Sequence, residues 1–181
     1  MLFRSYIFGT AHPAYIVSST FQNNKASNAG AVGMLWAGAY IVNSLFDGNA
    51  AVGTGANSSD ATKCTCINNG QNQVGSGGNG GAIYKDGGDN ANVTICGTQI
   101  RNNSANEFGP AVFLTADGSS AKLVFYDSLL QNNTTPIPYW QWCPGVSTDN
   151  PHVTGSTTCS PSPITTSFCN SSGTCTPTCS Q

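Results

Sequence analysis

Apolar and polar positions alternate along the chain in short segments, and each segment ends with the same four-residue motif. An apolar residue followed by two polar or glycine residues and an asparagine reads FQNN, FDGN, IRNN and LQNN at 21–24, 46–49, 100–103 and 130–133. A segment rich in β-branched and aromatic residues precedes each copy, as YIVSST does at 15–20. A segment that contains glycine and begins the next apolar stretch follows the first three copies of the motif, as FGPAVFL does at 108–114. Because the alternation has a period of two and Gly and Asn interrupt helical runs, the pattern predicts short strands.

The repeat divides the chain into about five units. These units begin near Tyr15, Ala39, Lys63, Ala91 and Ala121. A unit of some 20 to 30 residues cannot bury its own apolar face, so it has to stack on the next unit. We therefore predict an all-β fold, a parallel β-helix (β-solenoid) of about five coils at 15–142. Residues 1–14 are expected to form an N-terminal cap or lead-in strand, and 143–181 a disulfide-tied, irregular extension rich in Cys, Ser, Thr and Pro.

Equivalent side chains of successive coils should stack in register, because neighbouring coils lie about 4.8 Å apart. Phe21, Phe46, Ile100 and Leu130 would then share one interior column. Asparagine suits the corner that follows, since it tolerates a left-handed backbone and its amide can bond the equivalent amide. The predicted asparagine ladder is Asn24, Asn49, Asn69, Asn103 and Asn133. The predicted corner glycines, which would supply permissive backbone, are Gly30, Gly55, Gly81 and Gly109. The small interior residues beside them are Ala31, Ala56, Ala82 and Ala111.

FxxN combined with GGA and a following Ile, Leu or Val resembles the repeat of the polymorphic outer-membrane proteins of chlamydiae and of many bacterial right-handed parallel β-helix repeat proteins. FQNN at 21–24 and GGAI at 80–83 match that signature literally. The resemblance covers roughly residues 15 to 135. It implies a right-handed coil and a secreted or surface-displayed passenger domain, often adhesive, and it says little about activity.

Composition narrows the possible partners. Only 8% of the 181 residues are charged and the formal net charge is −2, with six scattered Lys and Arg residues. The sequence therefore contains no cluster of basic residues of the kind that binds nucleic acid. No apolar stretch reaches the roughly 18 to 20 residues of a membrane-spanning helix. His12 and Pro13 interrupt the apolar run near the N-terminus, so we do not expect that run to be a signal peptide.

The cysteines favour disulfides. The candidates are Cys64, Cys66, Cys96, Cys143, Cys159, Cys169, Cys175 and Cys179. Metal binding is the alternative, but one residue separates Cys64 from Cys66 and three separate Cys175 from Cys179, so neither pair is a CxxC zinc knuckle. Disulfides belong to an oxidising compartment, which predicts an extracellular or outer-surface location without fixing the pairing.

The acidic residues do not predict catalysis. Glycoside hydrolysis needs two carboxylates facing each other at about 5 to 9.5 Å, whereas most acids here stand beside Gly, Asn or Ser, where turn chemistry explains them. We therefore name no catalytic or cofactor-binding residue. Calcium is an alternative for GSGGNGGAIYKDGGD at 75–89, although a hard cation wants six or more oxygens.

Two functions of different classes remain. The first is a non-enzymatic extracellular structural or adhesive protein, with itself or a cell surface or matrix as partner, that stacks end to end into filaments. The aromatic patch YWQW at 139–142 is expected to cap the open end of the solenoid, with stacking on sugar rings as the alternative. The second is a carbohydrate-active or carbohydrate-binding module with a groove along one face. Convergence of two carboxylates among Asp47, Asp127 and Glu107 on one groove would favour the second.

Overall fold

The computed structural model describes residues 5–9, 12–55, 76–86, 91–114, 121–136, 146–148 and 153–158. Every regular element in these ranges is a strand. The strands are β1 (Ser5–Phe8), β2 (Ala14–Val17), β3 (Thr20–Gln22), β4 (Lys25–Ala26), β5 (Val32–Leu35), β6 (Ala39–Val42), β7 (Leu45–Asp47), β8 (Ala50–Ala51), β9 (Thr54–Gly55), β10 (Ser76–Gly77), β11 (Ile83–Asp86), β12 (Val93–Cys96), β13 (Gln99–Arg101), β14 (Ser104–Ala105), β15 (Val112–Leu114), β16 (Leu123–Gln131), β17 (Val146–Thr148) and β18 (Val153–Thr158).

Parallel pairing stacks these strands into a solenoid with three main sheets. Sheet A has the order β1-β5-β11-β15-β17. Sheet B holds two consecutive segments of each coil, β2 with β3, β6 with β7 and β12 with β13, followed by β16 and β18. Sheet C has the order β4-β8-β14, and Thr134 extends it through a bridge to Ser104. The predicted all-β parallel β-helix is confirmed.

Sheet B contains five described rungs, but they are not formed by the five units expected from the sequence. Val93 of β12 pairs directly with Ala39 of β6, so no rung of sheet B lies between them, although a unit was expected to begin near Lys63. β17 and β18, within the segment assigned to the irregular tail, instead pair with β15 and β16 and supply the last described rung. Their backbone groups satisfy the edge that β15 and β16 would otherwise expose.

Inward-facing residues stack into apolar columns that fill the coil. Phe46, Ile100 and Leu130 occupy one column with at most 1% exposure, and the ring of Phe21 stacks on that of Phe46 with centroids 4.8 Å apart. The three described alanines of the narrow side, Ala31, Ala82 and Ala111, have no exposed surface. Ala56 lies outside the described residues.

One interior column of sheet A contains a lysine. Lys85 pairs with Met34 on one side and Leu114 on the other, and all three have no exposed surface. The alternation of β11 requires this direction, because Ile83 two residues earlier belongs to the core. Composition alone counts Lys85 among scattered basic residues, so its burial is a finding of the structure.

We expect the Lys85 amine to resist acetylation in the native protein, whereas Lys25 and Lys122, which are exposed, should react. Modification of Lys85 requires opening of the coil, so its labelling should be at least about 100-fold slower. Peptide mass spectrometry after brief treatment with an acetylating ester measures the three rates, and all three lysines should react in denaturant. Equal native rates for Lys85 and Lys25 would contradict the interior position.

Candidate functional site

A ladder of side-chain amides runs through the corner after the column of Phe46. Nδ2 of Asn24 donates to Oδ1 of Asn49, Nδ2 of Asn49 to Oδ1 of Asn103, and Nδ2 of Asn103 to Oδ1 of Asn133, each at 2.9 Å. The backbone N–H of the first three residues donates to the same oxygens. Because Asn49 bonds directly to Asn103, no ladder position separates them. Asn69 lies outside the described residues.

The left-handed backbone at this corner belongs to the residue before each ladder asparagine. Asn23, Gly48, Asn102 and Asn132 have φ between 53° and 69°, whereas no ladder asparagine has a positive φ. The repeat pattern predicts both roles for one asparagine, whereas the structure divides them between two residues. In the Asn-Asn pairs the first residue makes the turn and the second makes the buried ladder, since the turn aims its side chain outward and the following one inward.

A second ladder, built from hydroxyl groups, is not among the features predicted from the sequence. Its members are Ser19, Ser44, Thr98 and Ser128, the last three with at most 5% exposure. The backbone N–H of each of the first three donates to the hydroxyl of the next rung, at 3.1 to 3.3 Å. Each hydroxyl donates to the carbonyl two residues earlier. A signal was present, since every member stands two residues before Phe21, Phe46, Ile100 or Leu130.

The predicted corner glycines perform two different tasks. Gly109 has φ +60° and is aligned with Gly80, at φ +71°, so both provide a left-handed turn. Gly30 and Gly81 align one position later and have no positive φ. An added Cβ at Gly81 would collide with the carbonyl oxygens of Pro110 and Ser104. Glycine is therefore required at Gly30 and Gly81 because neighbouring coils approach too closely to leave room for a Cβ.

Gly55 does not belong to either column, because it lies in β9 and pairs with Gly77 of β10. Gly30 bonds directly to the coil of Gly80 and Gly81. Gly55 therefore belongs to a short strand pair and not to the corner that was expected after the second repeat.

The first rung forms an open edge in the described part of the chain. β1, β2, β3 and β4 each pair on one side only. The inward-facing residues of this rung that retain exposed surface are Ile7, Ala14, Ile16 and Phe21. In the asparagine ladder, each Oδ1 atom accepts a hydrogen bond from the asparagine of the preceding rung, as shown by Asn49, Asn103 and Asn133. No described rung precedes Asn24, so no such donor is described for its Oδ1.

Exposed aromatic rings concentrate near this edge. Tyr6, Phe8 and Tyr15 are 65%, 57% and 57% exposed, and Trp36 of the second rung is 49% exposed. Phe8 meets Trp36 edge to face with centroids 5.4 Å apart, and Tyr15 stacks on Tyr40 at 5.2 Å. Apolar surface gathered at one end of a molecule is typical of an association surface.

A polar groove of about 390 Å³ crosses three rungs of sheet B at the bend that contains the hydroxyl ladder. It is lined by residues 18–20, by residues 43–45 and by Gly97, Gln99 and Arg101. In the described part of the chain, Oδ1 of Asn43 and Nε of Arg101 are buried atoms without a hydrogen-bond partner. Such atoms are uncommon in folded proteins and require an explanation.

Arg101 forms an ion pair beside this groove. Its Nη2 lies 3.1 Å from Oδ2 of Asp47, and Nδ2 of Asn102 donates to the other carboxylate oxygen at 2.8 Å. Burial raises the pKa of Asp47, but hydrogen bonds from Asn102 and Arg101 and the arginine charge outweigh burial and leave the pKa below its usual value. Asp47 is therefore ionised at neutral pH, and its favourable contribution is lost only as the pH falls through that lowered pKa.

The carboxylates proposed as a discriminator do not line this groove together. Asp47 is engaged with Arg101, and Asp127 occupies a left-handed corner within β16. Glu107 lies between β14 and β15, where its Cγ faces Gly78. None of the three is a lining residue. This groove therefore lacks the convergence of two of these carboxylates that would favour the carbohydrate-active alternative.

The remaining predicted chemistry falls mostly outside the described ranges. Cys96 is buried and packs with Val42 on the outer side of sheet B, and the other seven cysteines are not among the described residues. Of the calcium candidate segment, 76–86 is described. Within the ranges given above, no three His, Cys, Asp or Glu side chains gather as metal ligands. The same ranges contain no helix long and apolar enough to cross a membrane.

Comparison of the chain with protein-family models, with curated proteins and with solved structures gives no significant match.

Proposed function

We propose that the protein is a non-enzymatic extracellular or cell-surface structural or adhesive β-helix that associates end to end through its first rung. The observation that carries this proposal is the open edge of β1 to β4 together with the exposed aromatic residues beside it. The repeat resemblance to surface-displayed passenger domains supports the location and a right-handed coil. Disulfides at the eight cysteines, Cys96 included, would suit the same compartment.

The occupant we propose for the edge is the opposite end of a second copy. A layer that continues parallel pairing must run in the same direction as the first rung, and only the C-terminal side of another coil stack offers that direction. The contact joins two different surfaces, so it is heterologous and can propagate into a filament. Phe21 and Tyr15 would extend existing ring stacks, and Oδ1 of Asn24 would accept a further ladder bond.

Ile16→Lys is expected to abolish this association, because it places a charge on the inward face of the exposed rung, where a docked coil would bury it. An unpaired buried charge costs more than about 3 kcal/mol, which weakens binding at least about 100-fold. Light scattering after size exclusion and negative-stain electron microscopy, over a concentration series, measure the assembly. The wild type should form rods that lengthen with concentration, and the variant should stay monomeric.

Thr20→Lys is the matched control. Thr20 is exposed and lies outward on the same edge, aligned with Leu45 and Gln99, so the same added charge should permit rods. Thermal melts establish that both variants are folded. A wild type that remains monomeric at every concentration, or two variants that assemble equally, would refute end-to-end association.

A further inference from the structure

A cavity of about 290 Å³ opens on the outer face of sheet B, near the start of β6, and we call it the Gly38 cavity. Its described lining residues are His12, Pro13, Gly38, Tyr40, Ala91, Asn92 and Thr94. Ala39 belongs to the core, so Gly38 and Tyr40, one residue to either side of it, lie on the outer face. Pro13 and Asn92 are aligned with Gly38 in the neighbouring rungs. Because glycine has no side chain, a recess remains between two rungs that carry larger residues at this position.

Two walls of the Gly38 cavity are fixed by neighbouring rungs. The ring of Tyr15 stacks on that of Tyr40, with centroids 5.2 Å apart and an interplanar angle of 15°, and so supports one face. The residue aligned with Tyr40 on the other side is Thr94, which is too small to cover all of the opposite face. The backbone N–H of Lys122 donates to Oδ1 of Asn92 at 2.9 Å, which orients the amide and leaves Nδ2 to donate to a ligand. Walls held in this way reduce the entropy that binding would cost.

The groups that a ligand would contact are accessible. His12 and Asn92 are exposed, and Pro13 and Tyr40 are partly exposed. None of the described lining residues is Asp, Glu, Lys or Arg, so a charged ligand would gain no ion pair with such a side chain. The lining instead combines the apolar faces of Pro13 and Tyr40 with amide, hydroxyl and imidazole groups. A neutral ring that has one apolar face and several hydroxyl groups matches this combination.

We propose that the Gly38 cavity binds one neutral pyranose residue, whose C–H face packs against the ring of Tyr40 while a hydroxyl oxygen accepts from Nδ2 of Asn92. A volume of about 290 Å³ is close to the lower end of the range for small-molecule sites, which suits a single ring. Binding leaves the sugar chemically unchanged. The proposal does not depend on end-to-end association, because that contact uses the pairing edge of the first rung. Failure of either proposal leaves the other intact.

The test is an NMR titration of the isotope-labelled protein, at a concentration at which light scattering shows monomers. The probes are the methyl glycosides of glucose, galactose, mannose and N-acetylglucosamine, with phenol as an aromatic comparison. At least one glycoside should bind saturably, with a dissociation constant on the order of 1 mM for a ligand of this size. Its chemical-shift changes should centre on the backbone of Gly38 and on the side-chain amide of Asn92.

Three outcomes of the titration would overturn the proposal. Binding of phenol alone would indicate an aromatic ligand. Saturable shifts centred away from Gly38 and Asn92 would place the sugar at another site. Absence of glycoside binding up to about 100 mM would exclude a pyranose site, because that limit corresponds to an affinity about 100-fold below the expected one.

Two substitutions with matched controls locate the binding. Tyr40→Leu removes the ring wall, and Tyr126→Leu makes the same change at a partly exposed tyrosine of sheet B that does not line the cavity. Asn92→Ala removes the amide donor, and Asn106→Ala removes a comparable exposed side-chain hydrogen bond outside the cavity. Tyr40→Leu and Asn92→Ala should each weaken glycoside binding at least about tenfold, and the controls less than about twofold. Thermal melts establish that all four variants are folded. Unchanged affinity in both cavity variants, or equal losses in the controls, would refute the site.

Discussion

Asn103→Gly should lower the free energy of unfolding by at least about 3 kcal/mol. The Asn103 side chain is fully buried, donates to the carbonyl of Phe46 and to Oδ1 of Asn133, and accepts from the backbone and the amide of Asn49. Glycine leaves these groups without partners at a corner where Asn103 has no exposed surface. Each unsatisfied buried group costs about 1 to 3 kcal/mol, and partial relaxation reduces the sum.

The neighbouring residue provides the matched control, because Asn102→Gly makes the same substitution one position earlier. Asn102 is exposed, has φ 55°, and corresponds to Gly48 of the preceding rung, where glycine already occupies the turn. Its loss removes two exposed side-chain bonds, one to Asp47 and one from Asn132, and we expect a change below about 1 kcal/mol. Urea denaturation followed by circular dichroism measures both variants. Equal effects of the two substitutions would show that the ladder contributes no more than the turn.

Gly30→Ala is expected to destabilise the coil by about 3 kcal/mol or more, or to prevent cooperative folding. The new Cβ would collide with the carbonyl oxygen of Gly81 and lie 2.8 Å from the nitrogen of Ala50. Both atoms belong to the backbone of neighbouring segments, which ladder hydrogen bonds hold in place. Overpacking against rigid backbone exceeds the usual cost of about 1 to 3 kcal/mol for an extra methyl group, because no side chain can move aside.

Gly33→Ala separates crowding from a general intolerance of β-carbons. A Cβ at Gly33 would lie 2.9 Å from Cδ2 of Tyr6, whose 65% exposed side chain can rotate away, and 3.1 Å from Cβ of Ala29, which needs to shift by only a few tenths of an ångström. We expect a change within about 1 kcal/mol. Thermal and urea unfolding of the two alanine variants test the comparison. A Gly30→Ala protein as stable as Gly33→Ala would contradict the close approach of the coils at this corner.

The fold could be predicted because strand stacking repeats the same local requirement in every coil. One interior column needs a large apolar group in every coil. Each repeat has such a residue at the same position, namely Phe21, Phe46, Ile100 and Leu130. Which segments form the rungs could not be predicted in the same way. INNG at 67–70 matches the motif of a ladder corner, yet Asn49 bonds directly to Asn103. Pairing between segments that are distant in the sequence decides which copies of the motif become neighbours.

The candidate site was less accessible from the sequence than the fold. The hydroxyl ladder was predictable in principle, since Ser or Thr recurs at a fixed distance before each interior residue. The groove was not, because it depends on which side chains of different coils lie side by side, and the partner-less atoms of Asn43 and Arg101 emerge only from that lateral alignment. Lys85 also needed the structure, because a strict alternation can turn even a charged side chain inward.

The amide-to-amide bonds of the asparagine ladder all have the same direction along the solenoid. Nδ2 of each of the first three members donates to Oδ1 of the next, although Nδ2 of Asn49, Asn103 and Asn133 also donates back to a carbonyl of the preceding coil. The backbone N–H groups of the hydroxyl ladder donate toward the later coil as well. A filament made by stacking such molecules would therefore have two chemically distinct ends, one presenting Oδ1 of Asn24 and the other the last coil, and its growth rates at those ends would differ.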